Sequence, residues 1–286
     1  MLSRSTIQHL RFTFSLFLMP VYWFAISQAN VVTLTKAVLI FVILHLLVYP
    51  ASNGYNSYMD DDKGSIGGIK HPLPVNKELL YVSIAMDLAA LLLSFLISIK
   101  VALALFIYIT ASRLYSYRGI RLKKYPVTGY LTVIICQGAL VYYIVSMSVN
   151  EGALLPNILF PAIISSLLIG GTYPLTQVYQ HQQDKADGVT TLSYILGVKG
   201  TFLYCSLALL VAVLLLTVYF TNIGRANWLL LYLIATAPVL IYFISWFLQV
   251  DKNLAAANFK NLMKMNYVAS LCSNAAFIGM TILKQI

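Results

Sequence analysis

Charge is what this chain has least of, and acidic charge least of all. Asp, Glu, Lys and Arg make up 10% of its 286 residues, against 60% from the hydrophobic set, and the mean hydropathy is +0.81. A soluble domain carries about 25% charged residues, so a soluble fold is excluded. Cysteine is nearly absent as well. Cys136, Cys205 and Cys272 each lie in an apolar run with no metal-ligand spacing, and an odd count of three builds no disulfide framework. They read as small apolar packing residues. No small-residue cleavage site stands out after Arg4 and Arg11, so the first apolar run is expected to be retained, not removed as a signal peptide.

Long uncharged runs fill the chain instead. Residues 12–35, 37–59, 125–150, 152–183, 200–224, 226–250 and 265–283 contain no Asp, Glu, Lys or Arg. Each can hold the roughly 20 apolar residues that cross a bilayer as a helix. Two further apolar runs lie around 79–99, which contains Asp87, and 101–112. The pattern predicts an all-α, polytopic membrane protein with about nine transmembrane helices. They fall over 11–28, 33–51, 79–98, 100–117, 127–148, 155–176, 200–220, 227–248 and 263–283, in one domain over 1–286.

The net charge of +10 follows the membrane and predicts no nucleic-acid partner. With nine helices, one side holds Arg4, Arg11 and the loops at about 52–78, 113–126, 177–199 and 249–262. That side carries fifteen of the nineteen basic residues and leaves Lys36, Lys100, Arg225 and Lys284 to the other. The positive-inside rule then places the N-terminus and these long loops in the cytoplasm, facing the inner membrane if the cell is bacterial, and the C-terminus outside. Basic groups near the bilayer also meet anionic membrane lipids.

The nine acids are grouped. Five lie in two cytoplasmic stretches, Asp60, Asp61 and Asp62 within 56–68, and Asp184 and Asp187 within 180–188. If the second helix continues into the first stretch, Asn56 and Asp60 share one face a turn apart. Gln180, Asp184 and Asp187 follow the i, i+4, i+7 stripe of a helix. Two facing stripes of acids and amides are what holding Mg2+ against a diphosphate requires, because Mg2+ takes oxygen ligands and shares one or two carboxylates with substrate phosphates. Asp, Asn and Gly are also ordinary turn and cap residues. The spacing of the two stretches is compatible with a distant internal repeat around a shared central cavity open to the cytoplasmic face. Asp87, well inside a predicted helix, is either a functional acid or one hydrogen-bonded to a neighbouring helix. Of the twenty Tyr and fourteen Phe, Tyr55, Tyr58, Tyr117 and Tyr179 adjoin the acidic stretches and could face a developing cation.

These residues resemble the UbiA superfamily of intramembrane prenyltransferases over nearly the whole chain. Asn56 and Asp60 match a first motif of the form N-x-x-x-D-x-x-x-D, in which Gly64 stands at the last aspartate and Asp61 or Asp62 is its substitute. Lys70-His71-Pro72 looks like the family's N-R-P segment. Tyr115-Ser116-Tyr117 and Arg121-Leu122-Lys123-Lys124, followed by Pro126 and Gly129, look like its central loop. Asp184, Gly188, Thr191, Leu192, Leu196 and Gly197 match the second motif, with Gln180 where its first aspartate stands.

The resemblance implies Mg2+-dependent transfer of an isoprenyl group from a prenyl diphosphate donor to an aromatic, quinone-precursor or other lipophilic acceptor. It implies Mg2+ on Asn56, Asp60, Asp61, Asp62 and Asp184. Asp60, Asp184, Lys185 and Arg121 then act on the reacting groups, and Lys70, Lys123, Tyr117, Gln180 and Asp187 complete the binding site. Two other readings stay open: a carrier for a phosphorylated or cationic solute, and a family member that has lost catalysis and acts as a membrane partner.

Overall fold

The computed structural model describes residues 2–61, 64–150 and 152–284. All regular structure among them is helical apart from one isolated bridge between Ile66 and Ile69. Helix α1 (Arg4–Leu10) leads through a 3-10 stretch (Phe12–Phe17) into α2 (Met19–Gln28). Then come α3 (Leu34–Asp60), α4 (Lys77–Ser94), α5 (Ile99–Ser116), α6 (Pro126–Val149) and α7 (Leu155–Gln177). The short α8 (His181–Ala186) precedes α9 (Leu192–Asn222), α10 (Ala226–Lys252) and α11 (Phe259–Leu283).

Seven of these helices are long and apolar enough to cross a membrane, or up to eight if the bent pair at the N-terminus is one span. The first expected helix, over 11–28, is broken: Arg4–Phe17 and Met19–Gln28 meet at 41°, with Pro20 at the start of the second piece. The segment expected over 79–98 forms α4, which is not among the seven because its eighteen residues carry three charges, Lys77, Glu78 and Asp87. It still runs the length of the bundle. Glu78 accepts from the Ser3 hydroxyl near the start of α1, and at the other end Lys36, at the start of α3, donates to the Ile97 carbonyl at 3.5 Å.

Starts are set by local chemistry. Asn76, Ser98, Thr191 and Asn258 each cap a helix by accepting a backbone N–H with the side chain, which satisfies a donor that the first turn leaves open. The helices pack as a ring in which α3 touches α4 and α5, α6 touches α7, α9 touches α7 and α10, and α11 touches α10 and α2. The half of the ring away from the acidic loops is closed by an apolar core. Phe24, Ile40, Leu44, Leu105, Ile144, Phe220 and Phe277 are buried there, and Phe24 stacks on Phe277 at 4.7 Å. A second cluster around Phe202, Trp246 and Leu262 ties α9, α10 and α11 together.

Two stretches are π-helical, Ile43–Val48 in α3 and Ile135–Leu140 in α6. The second has a visible cause. Ser166 of α7 donates to the Ile134 carbonyl at 2.8 Å and accepts from Ala139 N–H at 3.0 Å, so a side chain enters the helix ladder across one widened turn. Gly138 allows the approach, since a Cβ there would stand 2.4 Å from the Ser166 Cα. The widened turn brings both Cys136 and Gln137 to a cavity wall.

Candidate active site

The half of the ring not closed by apolar packing holds a cavity of about 970 Å³. Its rim is the C-terminal end of α3, the loop after α5, the loop over 64–70 and helix α8. Its walls descend along α3, α5, α6 and α7 to Tyr108 and Gln137.

Helix α3 continues unbroken to Asp60, so Asn56 and Asp60 face the cavity one turn apart, as the spacing predicts. Asp61 ends the helix with a left-handed φ of 51°, which turns the chain away and leaves Asp61 exposed on the rim. Asp62 lies outside the described residues. Across the cavity Gln180, Asp184 and Asp187 all line the wall, carried by α8 and its two flanking residues. Gln183 joins them.

The loop after α5 brings in the cations. Lys123 Nζ donates to Asn56 Oδ1 at 3.1 Å and pairs with Asp60 Oδ2. Arg121 bridges the two acidic stretches: its guanidinium lies 3.2 Å from Asp60 Oδ1, pairs with Asp187 Oδ2, and donates to the Asp187 carbonyl at 2.9 Å. Arg121 holds this position with a left-handed backbone, φ 52°. Arg118 stands 3.8 Å from Asp187 Oδ1 and donates to the Met59 carbonyl at 2.5 Å. On α5, Ser116 Oγ donates to Asn56 Oδ1 at 2.8 Å. Asn56, Asp60, Arg121, Lys123 and Asp187 therefore form one network drawn from three separate parts of the chain.

Asp184 is different. Among the described residues its carboxylate has no hydrogen bond or ion pair, and its pKa is pushed up to about 7. Burial is the largest cause; Lys123 opposes it, while Asp60 and Asp187 add to it.

Three expected contributors lie elsewhere. Lys185, next to Asp184 but about 100° round the helix, sits over the Tyr194 ring at 5.7 Å and does not line the cavity. Lys70 is exposed beyond the Ile66–Ile69 bridge, where its carbonyl accepts from Ser65 Oγ at 2.9 Å. Tyr117 caps α5, half-exposed, with its ring against Gly119. Tyr55 is also turned away from the cavity. The aromatic groups that do line it are Phe14, Tyr108, Tyr115, Tyr173 and Tyr179. Tyr115 and Tyr173 share a hydrogen bond of 2.5 Å, and Gln177 donates to the Tyr173 hydroxyl at 2.9 Å. Tyr179 adjoins the second acidic stretch and Tyr115 lies in the stretch that looks like the family's central loop, but the sequence has no signal that singles out Phe14, Tyr108 or Tyr173. Arg118, between the two parts of the central-loop stretch, and Gln183, beside Asp184, do lie where the motifs point.

The two positions that depart from the family pattern both take part in closing the rim. Gln180 Nε2 donates to the Ser65 carbonyl at 3.0 Å, and a Cβ at Gly64 would meet Gln183 Oε1 at 2.4 Å. The 64–70 loop is thus seated directly on α8.

The donors facing the cavity are oxygens of Asn56, Asp60, Gln180, Gln183, Asp184 and Asp187, the chemistry a hard cation takes. Among the described residues no three acid, His or Cys side chains are grouped closely enough to hold a metal unaided. This set fits Mg2+, which takes one or two carboxylates and completes its shell with waters and substrate phosphates.

Fold and site together define an integral membrane protein with a polar, acid- and cation-lined cavity at one end of a helical bundle. The UbiA prenyltransferase family model matches residues 17–268, and the chain belongs to that family. Solved structures share its fold. The apo UbiA homologue of Aeropyrum pernix K1 superposes with a TM-score of 0.73 at 16% identity over 96% of this chain and 99% of the other. The Archaeoglobus fulgidus homologue bound to DMAPP and Mg2+ gives 0.71 at 15% identity over 98% and 99%. A digeranylgeranylglyceryl phosphate synthase gives 0.62 at 20% identity over 98% and 97%. No curated protein matches the chain by sequence.

Proposed function

We propose that the protein transfers an isoprenyl group from a prenyl diphosphate to a lipophilic acceptor within the membrane, in a Mg2+-dependent reaction. One observation carries this reading: two acidic stretches and the cations of a third loop converge on a single cavity that continues into an aromatic-lined interior. The Archaeoglobus homologue, solved with DMAPP and Mg2+ and alike in fold, supports it.

Diphosphate leaves only when its growing negative charge is neutralised. Asp60 and Asp184, with Asn56, Gln180 and Asp187 beside them, would hold Mg2+, which when bound would supply part of that neutralisation through Lewis-acid chemistry. Lys123 and Arg118, on the cavity wall, offer N–H donors to phosphate oxygens, and Arg121 holds Asp60 and Asp187 at a fixed separation. The C–O bond of the donor breaks with its electron pair going to diphosphate. The acceptor supplies the pair for the new bond and releases its proton. Tyr115, Tyr173 and Phe14 face the space in which the allylic group carries positive charge, where aromatic faces attract it and exclude water.

The test is diphosphate release from geranyl, farnesyl and geranylgeranyl diphosphates by the purified protein with phenolic, quinone-precursor and lipid-alcohol acceptors. Release is expected to need Mg2+ and to fall at least about a hundredfold in Asp60→Ala, the scale of losing a charge-stabilising group. Release unchanged in that variant, or in excess chelator, overturns the reading.

A further inference from the structure

Asp87 and Arg113 take no part in the network above, yet they form a largely buried ion pair in the middle of α4 and near the end of α5. Arg113 Nε donates to Asp87 Oδ2 at 2.8 Å and Nη2 pairs with the same oxygen. Nη2 also donates to the Ser83 carbonyl at 3.2 Å. The guanidinium lies over the Tyr55 ring, 4.0 Å from its centroid. The two side chains are 18% and 13% exposed.

The cluster joins three helices, with Asp87 and Ser83 on α4, Arg113 on α5 and Tyr55 on α3. It sits directly behind the cavity wall. Tyr55 precedes Asn56, and Arg113 stands one turn before Ser116, whose hydroxyl donates to Asn56 at 2.8 Å. A turn deeper, the Ser52 and Ser112 hydroxyls join the same two helices at 2.6 Å. At Gly54 the approach is tighter still, because a Cβ there would stand 2.6 Å from Ser83 Oγ and 2.9 Å from Leu79 Cδ1.

Stability alone does not account for such a pair. Replacing both partners of a buried ion pair with apolar groups of similar size commonly leaves a protein as stable or more so, whereas removing one partner is damaging. A planar guanidinium fixed on one side by a carboxylate and on one face by a ring does something apolar packing does not: it sets rotation about a helix axis. Rotating or sliding α5 would carry Ser116 off Asn56 and change where the Asn56–Asp60 face points.

We propose that Asp87 and Arg113 are positioning residues that lock α5 against α3 and α4, and so hold Asn56 and Asp60 in register for the diphosphate. The proposal rests on the donor-site reading above. The Asp87→Leu/Arg113→Met double variant tests it, with thermal stability, affinity for inorganic diphosphate in Mg2+ and prenyl-transfer kcat measured side by side. The expected result is wild-type stability with diphosphate affinity and kcat each lowered about tenfold to a hundredfold, the scale of a misplaced site. A double variant that is stable, binds diphosphate and turns over like wild type overturns it. If the double variant does not fold, Arg113→Lys decides, because it keeps the charge but loses the planar contact; wild-type diphosphate affinity in that variant overturns the proposal. Wild-type protein that binds diphosphate but transfers no prenyl group overturns only the functional reading, and the affinity comparison still decides positioning. Wild-type protein that binds no diphosphate overturns both.

Discussion

Asp184 differs from Asp60 and Asp187 in what surrounds it. They are each held by a guanidinium or ammonium group, whereas burial in the cavity wall pushes its pKa from 3.8 up to about 7. The sign of the consequence follows from proton counting. Between these two values the unfolded chain has released the Asp184 proton and the folded chain still holds it, so stability falls as pH rises through that window. The slope from this one group is at most about 1.4 kcal/mol per pH unit. Asp184→Asn, neutral at every pH and nearly the same shape, removes that slope. Thermal unfolding of the metal-free protein in detergent is expected to show the variant melting above its parent at pH 8, with the difference vanishing near pH 4. A variant less stable than its parent at pH 8 would mean that the ionised carboxylate is welcome in the folded state. Much of this was legible beforehand, because the identities and stripe positions of Asn56, Asp60, Gln180, Asp184 and Asp187 put them on one cavity. That Lys185, Lys70 and Tyr117 stand outside the cavity lining was not. Which way a side chain points from a short helix or a capping residue is settled by contacts outside the helix period, such as Tyr194 for Lys185 and the turn at Gly119 for Tyr117.

At the scale of elements, apolar length predicted where most helices lie, because crossing a bilayer demands it. It carried less about their interiors. The break between Phe17 and Met19, the π-helical turns and the 3-10 end of α7 are local departures from a regular helix, which hydropathy averages away. The turn at Ile135–Leu140 is the clearest case, since it exists where Ser166 and Gly138 let α7 enter the α6 ladder. Gly138→Ala is therefore expected to force the two backbones apart and cost about 1–3 kcal/mol, the range for overpacking. Gly279→Ala is the matched control. Its Cβ would meet nothing nearer than Leu231 Cδ2 at 3.5 Å, and alanine is the better helix former by about 1 kcal/mol. Thermal unfolding should separate the two, with Gly138→Ala melting lower and Gly279→Ala unchanged or higher. Equal melting of Gly138→Ala and its parent would show that the close approach is not what shapes this turn.

For the whole molecule, the distribution of basic residues and the location of the cavity point the same way. Among the described residues, fourteen of eighteen Lys and Arg fall at the end of the bundle that carries the cavity, and the positive-inside rule expects such an end to face the cytoplasm. The far end has little charge and short connections, and Lys36 and Lys284 there are turned onto backbone carbonyls of neighbouring segments. A water-soluble diphosphate would then enter from the cytoplasm while its isoprenoid tail and a lipophilic acceptor arrive from the bilayer. Orientation can be read with single cysteines at exposed positions, Lys70→Cys near the cavity and Asn222→Cys at the opposite end. They need a background free of Cys136, Cys205 and Cys272, because Cys136 lines the cavity and could react through it. In intact bacterial cells a membrane-impermeant maleimide is expected to label Asn222→Cys at once and Lys70→Cys only after permeabilisation. The reverse order would place the cavity on the outer face. Prenyl diphosphates made in the cytoplasm would then be out of reach, and the charge bias would have to be attributed to binding lipid headgroups instead of setting topology.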